Sequence, residues 1–106
     1  MKKLEKTPDV LAAFKDAVQR IFPGQVESIV LFGSRARGDA RSDSDWDVAV
    51  FLKGHIDREA VGSKLVDITY PALLDGADIN AFAFSEDDFG QISELMYDIK
   101  TEGLVV

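Results

Sequence analysis

"LFGSRARGDARSDSDWDVAVFL", residues 31–52, places a glycine-serine pair, three arginines and four aspartates between two apolar runs. The β-branched content of "QVESIVLF" (25–32), closed by Gly33, predicts a strand, and "WDVAVFL" (46–52) predicts a second one after the polar segment. Alternate residues of a strand share a face about 7 Å apart along the chain, so Asp45 and Asp47 aim their carboxylates to one side of the sheet. Carboxylates held this close repel one another unless a cation sits among them.

The donor set says which cation. Carboxylate oxygens suit hard ions such as magnesium or manganese, and magnesium commonly takes one or two carboxylates together with substrate phosphates. Asp78, at the start of a further predicted strand, "ADINAFAF", completes a two-metal clamp if that strand neighbours the first aspartate strand. Asn80 falls on the same predicted face, as a donor to those carboxylates or as a satisfied buried amide. Gly33 lets backbone approach a ligand closely, Ser34 offers a hydroxyl and an amide, and a helical turn starting there would point free N–H groups at a phosphate. Arg35 or Arg37 can add a charged contact. Alternatively, Arg35, Arg37 and Arg41 serve only to neutralise Asp39 and Asp43.

Two other motifs are excluded by residue identity. "GSRARGDA" has the glycine spacing of a phosphate-binding P-loop, but Asp39 and Ala40 stand where lysine and serine or threonine are required. "DSDWDVAVFLKG" begins like a calcium-binding EF-hand loop. Val48 replaces its turn glycine, however, and Gly54 its bidentate glutamate.

Outward from this stretch, Thr7 as cap and Pro8 as first-turn proline predict a helix, with Val10, Phe14, Val18 and Ile21 at helical spacing up to the stop at "PG", 23–24. Residues 57–74 carry Val61, Leu65, Ile68 and Leu73 in a helical pattern that Gly62 and Pro71 would interrupt. Ser85 with Asp88 approximates a capping box for a last helix. Phe89, Ile92, Met96 and Ile99 form its apolar face, Gly103 ends it, and "LVV" can close the chain as a short strand. Glu86, Asp87 and Asp88 complement the helix dipole there. His55, the one histidine, reads as an exposed connector. This order predicts an α/β (α+β) domain, 1–106, with a small mixed β-sheet of three to four strands flanked by helices.

Composition bounds the function. Twelve basic residues against nineteen acidic ones give a net charge of -7, the wrong sign for a domain that grips duplex nucleic acid through its phosphates. Direct nucleic-acid binding is therefore not expected. No cysteine is present, which excludes disulfides and thiolate metal sites. "MKKLEKTPDV" lacks the apolar segment of a signal peptide and no run approaches membrane-spanning length, so the expectation is a soluble cytoplasmic protein without membrane contact.

Gly33-Ser34, ten residues and then Asp45-x-Asp47 resemble the signature of the DNA polymerase beta-like nucleotidyltransferase superfamily. More narrowly, "GSRARGDARSDSDWDVAV", "ADINAF" and the ending "SEDDFGQISELMYDIKTEGLVV" resemble the minimal nucleotidyltransferases, or MNT proteins, encoded beside HEPN-domain partners. The resemblance extends over essentially the whole chain and implies a nucleotidyltransferase fold. It implies that Gly33 and Ser34 bind the nucleotide phosphates, that Asp45 and Asp47 hold divalent metal, magnesium or manganese, and that Asp78 helps ligate the metal on the acceptor side. The implied reaction is transfer of a nucleoside monophosphate, AMP from ATP, to a hydroxyl. Some family members act as antitoxins by modifying a tyrosine of the HEPN toxin. Trp46 departs from the aliphatic residue usual between the two aspartates; it should face away from the metal. Two alternatives stay open: an antitoxin that acts by binding alone, and transfer to a small hydroxylated molecule such as an aminoglycoside. A minimal enzyme of this kind would bind its acceptor through an added subunit or a homo-oligomer partner.

Overall fold

The computed structural model describes all 106 residues. The elements run β1 (Lys2–Lys3), α1 (Asp9–Ile21), β2 (Val26–Phe32), α2 (Ser34–Arg37), β3 (Trp46–Leu52), α3 (Arg58–Leu74), β4 (Ile79–Ser85), a 3₁₀ turn (Glu86–Gly90), α4 (Glu94–Glu102) and β5 (Leu104–Val105). The five strands form one mixed sheet in the order β1-β5-β2-β3-β4. β2 is antiparallel to both β3 and β5, β3 runs parallel to β4, and β1 runs parallel to β5. No helix is long and apolar enough to cross a membrane.

The apolar runs of β2 and β3 are continuous because both faces of the sheet are covered. Ile29, Leu31, Val48, Val50 and Leu52 point to one face and pack with Leu11, Phe14 and Val18 of α1 and Val61 and Leu65 of α3. Val30, Phe32, Ala49 and Phe51 point to the other, where Phe84, Met96 and Ile99 complete a smaller cluster under α4. This alternation carries through β3, so Asp47 faces the α4 side and Trp46 packs on the α1/α3 side, away from the carboxylates.

Several boundaries differ from the sequence reading. Thr7 is not the cap of α1: Pro8 holds that position with no side-chain cap, its carbonyl accepting from Leu11 and Ala12. α3 is unbroken through Gly62 and Pro71, secured by Asp57, whose Oδ1 accepts from the Glu59 and Ala60 amides at 3.1 Å each. The sheet has five strands rather than three or four; the additional one, β1, consists of two exposed lysines and has no apolar signature.

The predicted last helix is two elements. Ser85 and Asp88 form the expected capping box, but it caps the 3₁₀ turn. The chain then extends, and Ser93 starts α4 afresh, its Oγ accepting from the Met96 amide at 3.0 Å. Phe89 and Ile92 are therefore exposed, and Met96 and Ile99 alone of that apolar face are buried. A nine-residue helix has little stability of its own. Burial of those two side chains, worth about 1.5–3 kcal/mol each, holds it to the sheet.

Gly62 lies inside α3, and a Cβ built there meets nothing within 4 Å. Gly62→Ala should therefore stabilise the fold by about 0.5–1 kcal/mol, the cost of glycine in a helix interior. Thermal or denaturant unfolding would show this as a midpoint raised by a few degrees; an unchanged or lower midpoint would contradict it.

Candidate functional site

The end of β2 meets the starts of β3 and β4 on the α4 face. Gly33 leaves β2 with φ 77° and ψ −160°, a conformation open essentially to glycine alone. Its carbonyl accepts from Ala36 and Arg37 at 3.0 Å each, which winds residues 34–37 into the single turn α2. Gly38, at φ 87°, closes it. Ser34 and Arg35 open that turn, so their amides have no intrahelical acceptor. The Ser34 hydroxyl makes no hydrogen bond within the chain, and both Ser34 groups remain available to an anion.

Phe32 pairs with Asp47 across the β2–β3 ladder, which brings Asp47 against Gly33. A Cβ on residue 33 would collide with Asp47 Oδ2 and lie 3.2 Å from its Cγ. Glycine is required here for its conformation and for its missing side chain together. On the other flank, β4 is in parallel register with Asp47 opposite Asn80. Asn80 Nδ2 donates to Asp45 Oδ2 at 3.0 Å and to Asp47 Oδ1 at 3.2 Å. One amide thus bridges both carboxylates and eases their mutual repulsion. Of the two readings of Asn80, the donor is the one the geometry supports.

Asp78 lies just before the first paired residue of β4. β3 and β4 are neighbours as the clamp requires, and the Asp78 carbonyl accepts from the Trp46 amide at 2.8 Å. Its carboxylate is exposed, however, and no group of three carboxylates is gathered to hold a metal. The register explains this: Asn80, two residues further along the same face, is the side chain placed over the pair. Asp45 and Asp47 fit a divalent hard cation with open positions for phosphate oxygens or water, since both oxygens converge on one small donor.

Two of the three loop arginines are engaged within the chain. Arg35 donates to the Ser44 carbonyl through Nε at 3.2 Å and Nη2 at 2.8 Å, and to the Ser42 carbonyl at 3.1 Å. Its guanidinium lies 4.1 Å from the centre of the Trp46 ring. It fastens the loop that delivers Asp45, which also gives Trp46 a role on the face opposite the carboxylates. Arg37 pairs with Asp39 at 3.2 Å and with Glu102 at 3.1 Å. Those partners, Glu102 foremost through its hydrogen bond, raise the guanidinium further above its ordinary value. Arg41 forms no ion pair.

Glu102, at the end of α4, was not legible as a site residue. Its Oε1 accepts from the Gly33 amide at 2.8 Å across 69 positions of sequence. A lone glutamate near the end of an amphipathic helix gives no local sign of such a contact. Cavity shape is no better a guide. A cleft of about 390 Å³ over Val30, Phe51 and Phe89 lies toward the opposite end of this sheet face and includes none of these residues.

Comparison with known proteins decides the family. Residues 11–102 match the model described as "Nucleotidyltransferase domain". The chain belongs to the nucleotidyltransferase domain family. It is 35% identical over 79 residues, 74% of this chain and 73% of the relative, to a protein of Methanocaldococcus jannaschii named "Putative protein adenylyltransferase MJ0604". Its fold is similar to a crystal structure described as "a putative nucleotidyltransferase from Sulfolobus solfataricus", with TM-score 0.60 and 18% identity over 96% of this chain and 89% of that one. A second similar structure is of a toxin-antitoxin with AMP-PNP, with TM-score 0.59 and 22% identity over 92% of this chain and 72% of that one. The nucleotidyltransferase resemblance carried by the glycine-serine and paired-aspartate motif is borne out.

Gly33→Ala tests the packing that joins the two halves of the motif. The left-handed conformation and the collision with Asp47 together should cost about 1–3 kcal/mol, measurable by denaturant unfolding. A variant as stable as the wild type would show that Gly33 and Asp47 are not in contact.

Proposed function

We propose that this nucleotidyltransferase transfers AMP from ATP to a protein hydroxyl, the tyrosine of a HEPN-domain toxin partner, and thereby acts as an antitoxin. The observation that carries the reading is the convergence of Asp45, Asp47 and the Ser34 turn at one end of the sheet, with Gly33 packed against Asp47. The M. jannaschii relative named as a protein adenylyltransferase supports the reaction class. A similar fold in a toxin-antitoxin structure supports the class of partner.

In this reading the acceptor hydroxyl gives up its proton to solvent as its oxygen attacks the α-phosphorus of ATP, a new P–O bond forms, and the bond to pyrophosphate, the leaving group, breaks. Asp45 and Asp47 would hold magnesium or manganese, which when bound supplies charge neutralisation at the attacking and leaving oxygens. The Ser34 hydroxyl and the Ser34 and Arg35 amides bind phosphate oxygens from the other side. Arg35 contributes by fixing the loop before Asp45, and Arg37, paired with Asp39 and Glu102, holds the far end of the turn. Asp78, exposed at the start of β4, is assigned to the acceptor side.

A second reading, neutralisation by binding alone, is favoured by one observation: no third carboxylate joins the pair. Intact-mass measurement of a HEPN-domain protein encoded beside this chain, incubated with it, ATP and magnesium, separates the two. Gain of one or more AMP units with the wild type, lost in the Asp45→Asn, Asp47→Asn double variant, is the expected outcome. No gain while a stable complex still forms would establish the binding antitoxin instead.

A further inference from the structure

Gly33 is held from two sides, and only one of them belongs to the paired-aspartate motif. Asp47 fills the space on one side. On the other, the Gly33 amide donates to Glu102 Oε1 at 2.8 Å. The residue is buried, so its N–H needs an acceptor inside the protein, and a carboxylate is among the strongest available.

Glu102 is itself fixed by packing. Met96 and Ile99 anchor α4 to the sheet. The following residue, Gly103, lies so close to β2 that a Cβ there would be 2.6 Å from Val30 Cγ1. Beyond it Leu104 and Val105 pair with β2, so the end of α4 cannot slide without breaking the sheet. The Glu102 side chain is 18% exposed, and Arg37 Nη1 meets its two oxygens at 3.3 and 3.1 Å. That pairing neutralises a carboxylate which would otherwise repel phosphate. The same side chain thus grips both ends of α2, at Gly33 and at Arg37.

We propose that Glu102 is a positioning residue for nucleotide binding: it clamps the turn 33–37 to α4 and so sets the distance between the Ser34 phosphate-binding groups and Asp47. This role rests on the nucleotidyl-transfer reading above. A carboxylate on an amide and a guanidinium also occupies groups that attract anions, and that effect alone would run the other way. Removal of Glu102 would then tighten nucleotide binding. The two effects have opposite signs.

The test is calorimetric titration of ATP with magnesium into the wild type and three variants, at a temperature where circular dichroism shows each fully folded. Glu102→Ala should weaken binding about tenfold, the size of one hydrogen bond's net contribution. Glu102→Gln, which keeps an oxygen for the Gly33 amide, should stay within about twofold of the wild type. Glu102→Asp keeps the charge but shortens the reach; it should resemble the alanine variant, and it preserves the test if that variant does not fold. The Gly33 amide resonance should shift further in the alanine and aspartate variants, which lose the acceptor, than in the glutamine variant, which keeps a neutral one. Unchanged affinity in the folded alanine and aspartate variants, even with lowered melting points, would make Glu102 merely structural and overturn the role; tighter binding would overturn it too. No binding of ATP with magnesium by the wild type would instead defeat the nucleotide reading, and this role with it.

Discussion

The contact between Gly33 and the Asp47 carboxylate is the constraint around which this end of the molecule is built. It joins the residue that ends β2 to the second residue of β3, and it exists because the antiparallel register sets Phe32 opposite Asp47. With no room for a Cβ and a positive φ, the position admits glycine alone. The turn beginning at Ser34 is then launched directly beside the carboxylate pair. The free amides and hydroxyl of that turn and the carboxylate pair become neighbours although eleven residues of polar loop separate Ser34 from Trp46 in sequence.

Those intervening residues are held mainly by the protein itself. Arg35 spends its guanidinium on the Ser42 and Ser44 carbonyls and on the Trp46 ring. Asn80 spends its amide on Asp45 and Asp47. Arg37 is shared between Asp39 and Glu102. A segment dense in like charge is therefore quieted by local donors before any ligand arrives. In the proposed function, that arrangement limits the reorganisation needed for an anionic nucleotide and its cation to bind, because the groups assigned to them are already aimed.

Much of this was readable from residue types and spacing. Alternation along "SDWDVAVFL" put both aspartates on one face, and the glycine-serine pair marked the turn. The two central strands and β4 were visible as apolar runs of the right length, and α1 as apolar residues at helical spacing. The split of the last helix was not. A capping signal at Ser85 and apolar residues at helical spacing both favoured one helix, while in the structure the chain extends at Gln91, after Phe89 has met the Phe51 ring edge-on, and is capped anew at Ser93. The converse held for α3, where Pro71 sits on the exposed side near the helix end and breaks nothing.

The sequence by itself determined the fold class, the family and the chemistry of the donors, because period-two and period-3.6 patterns and the glycine-serine and aspartate spacing are local properties of the chain. Tertiary structure alone decided which side chains stand together. The parallel register placed Asn80, and not a third carboxylate, over the aspartate pair. The docking of α4 brought Glu102 to Gly33 from 69 positions away. Partnerships of that kind arise from strand register and helix packing, which depend on the whole sheet at once, and no stretch of sequence carries them alone.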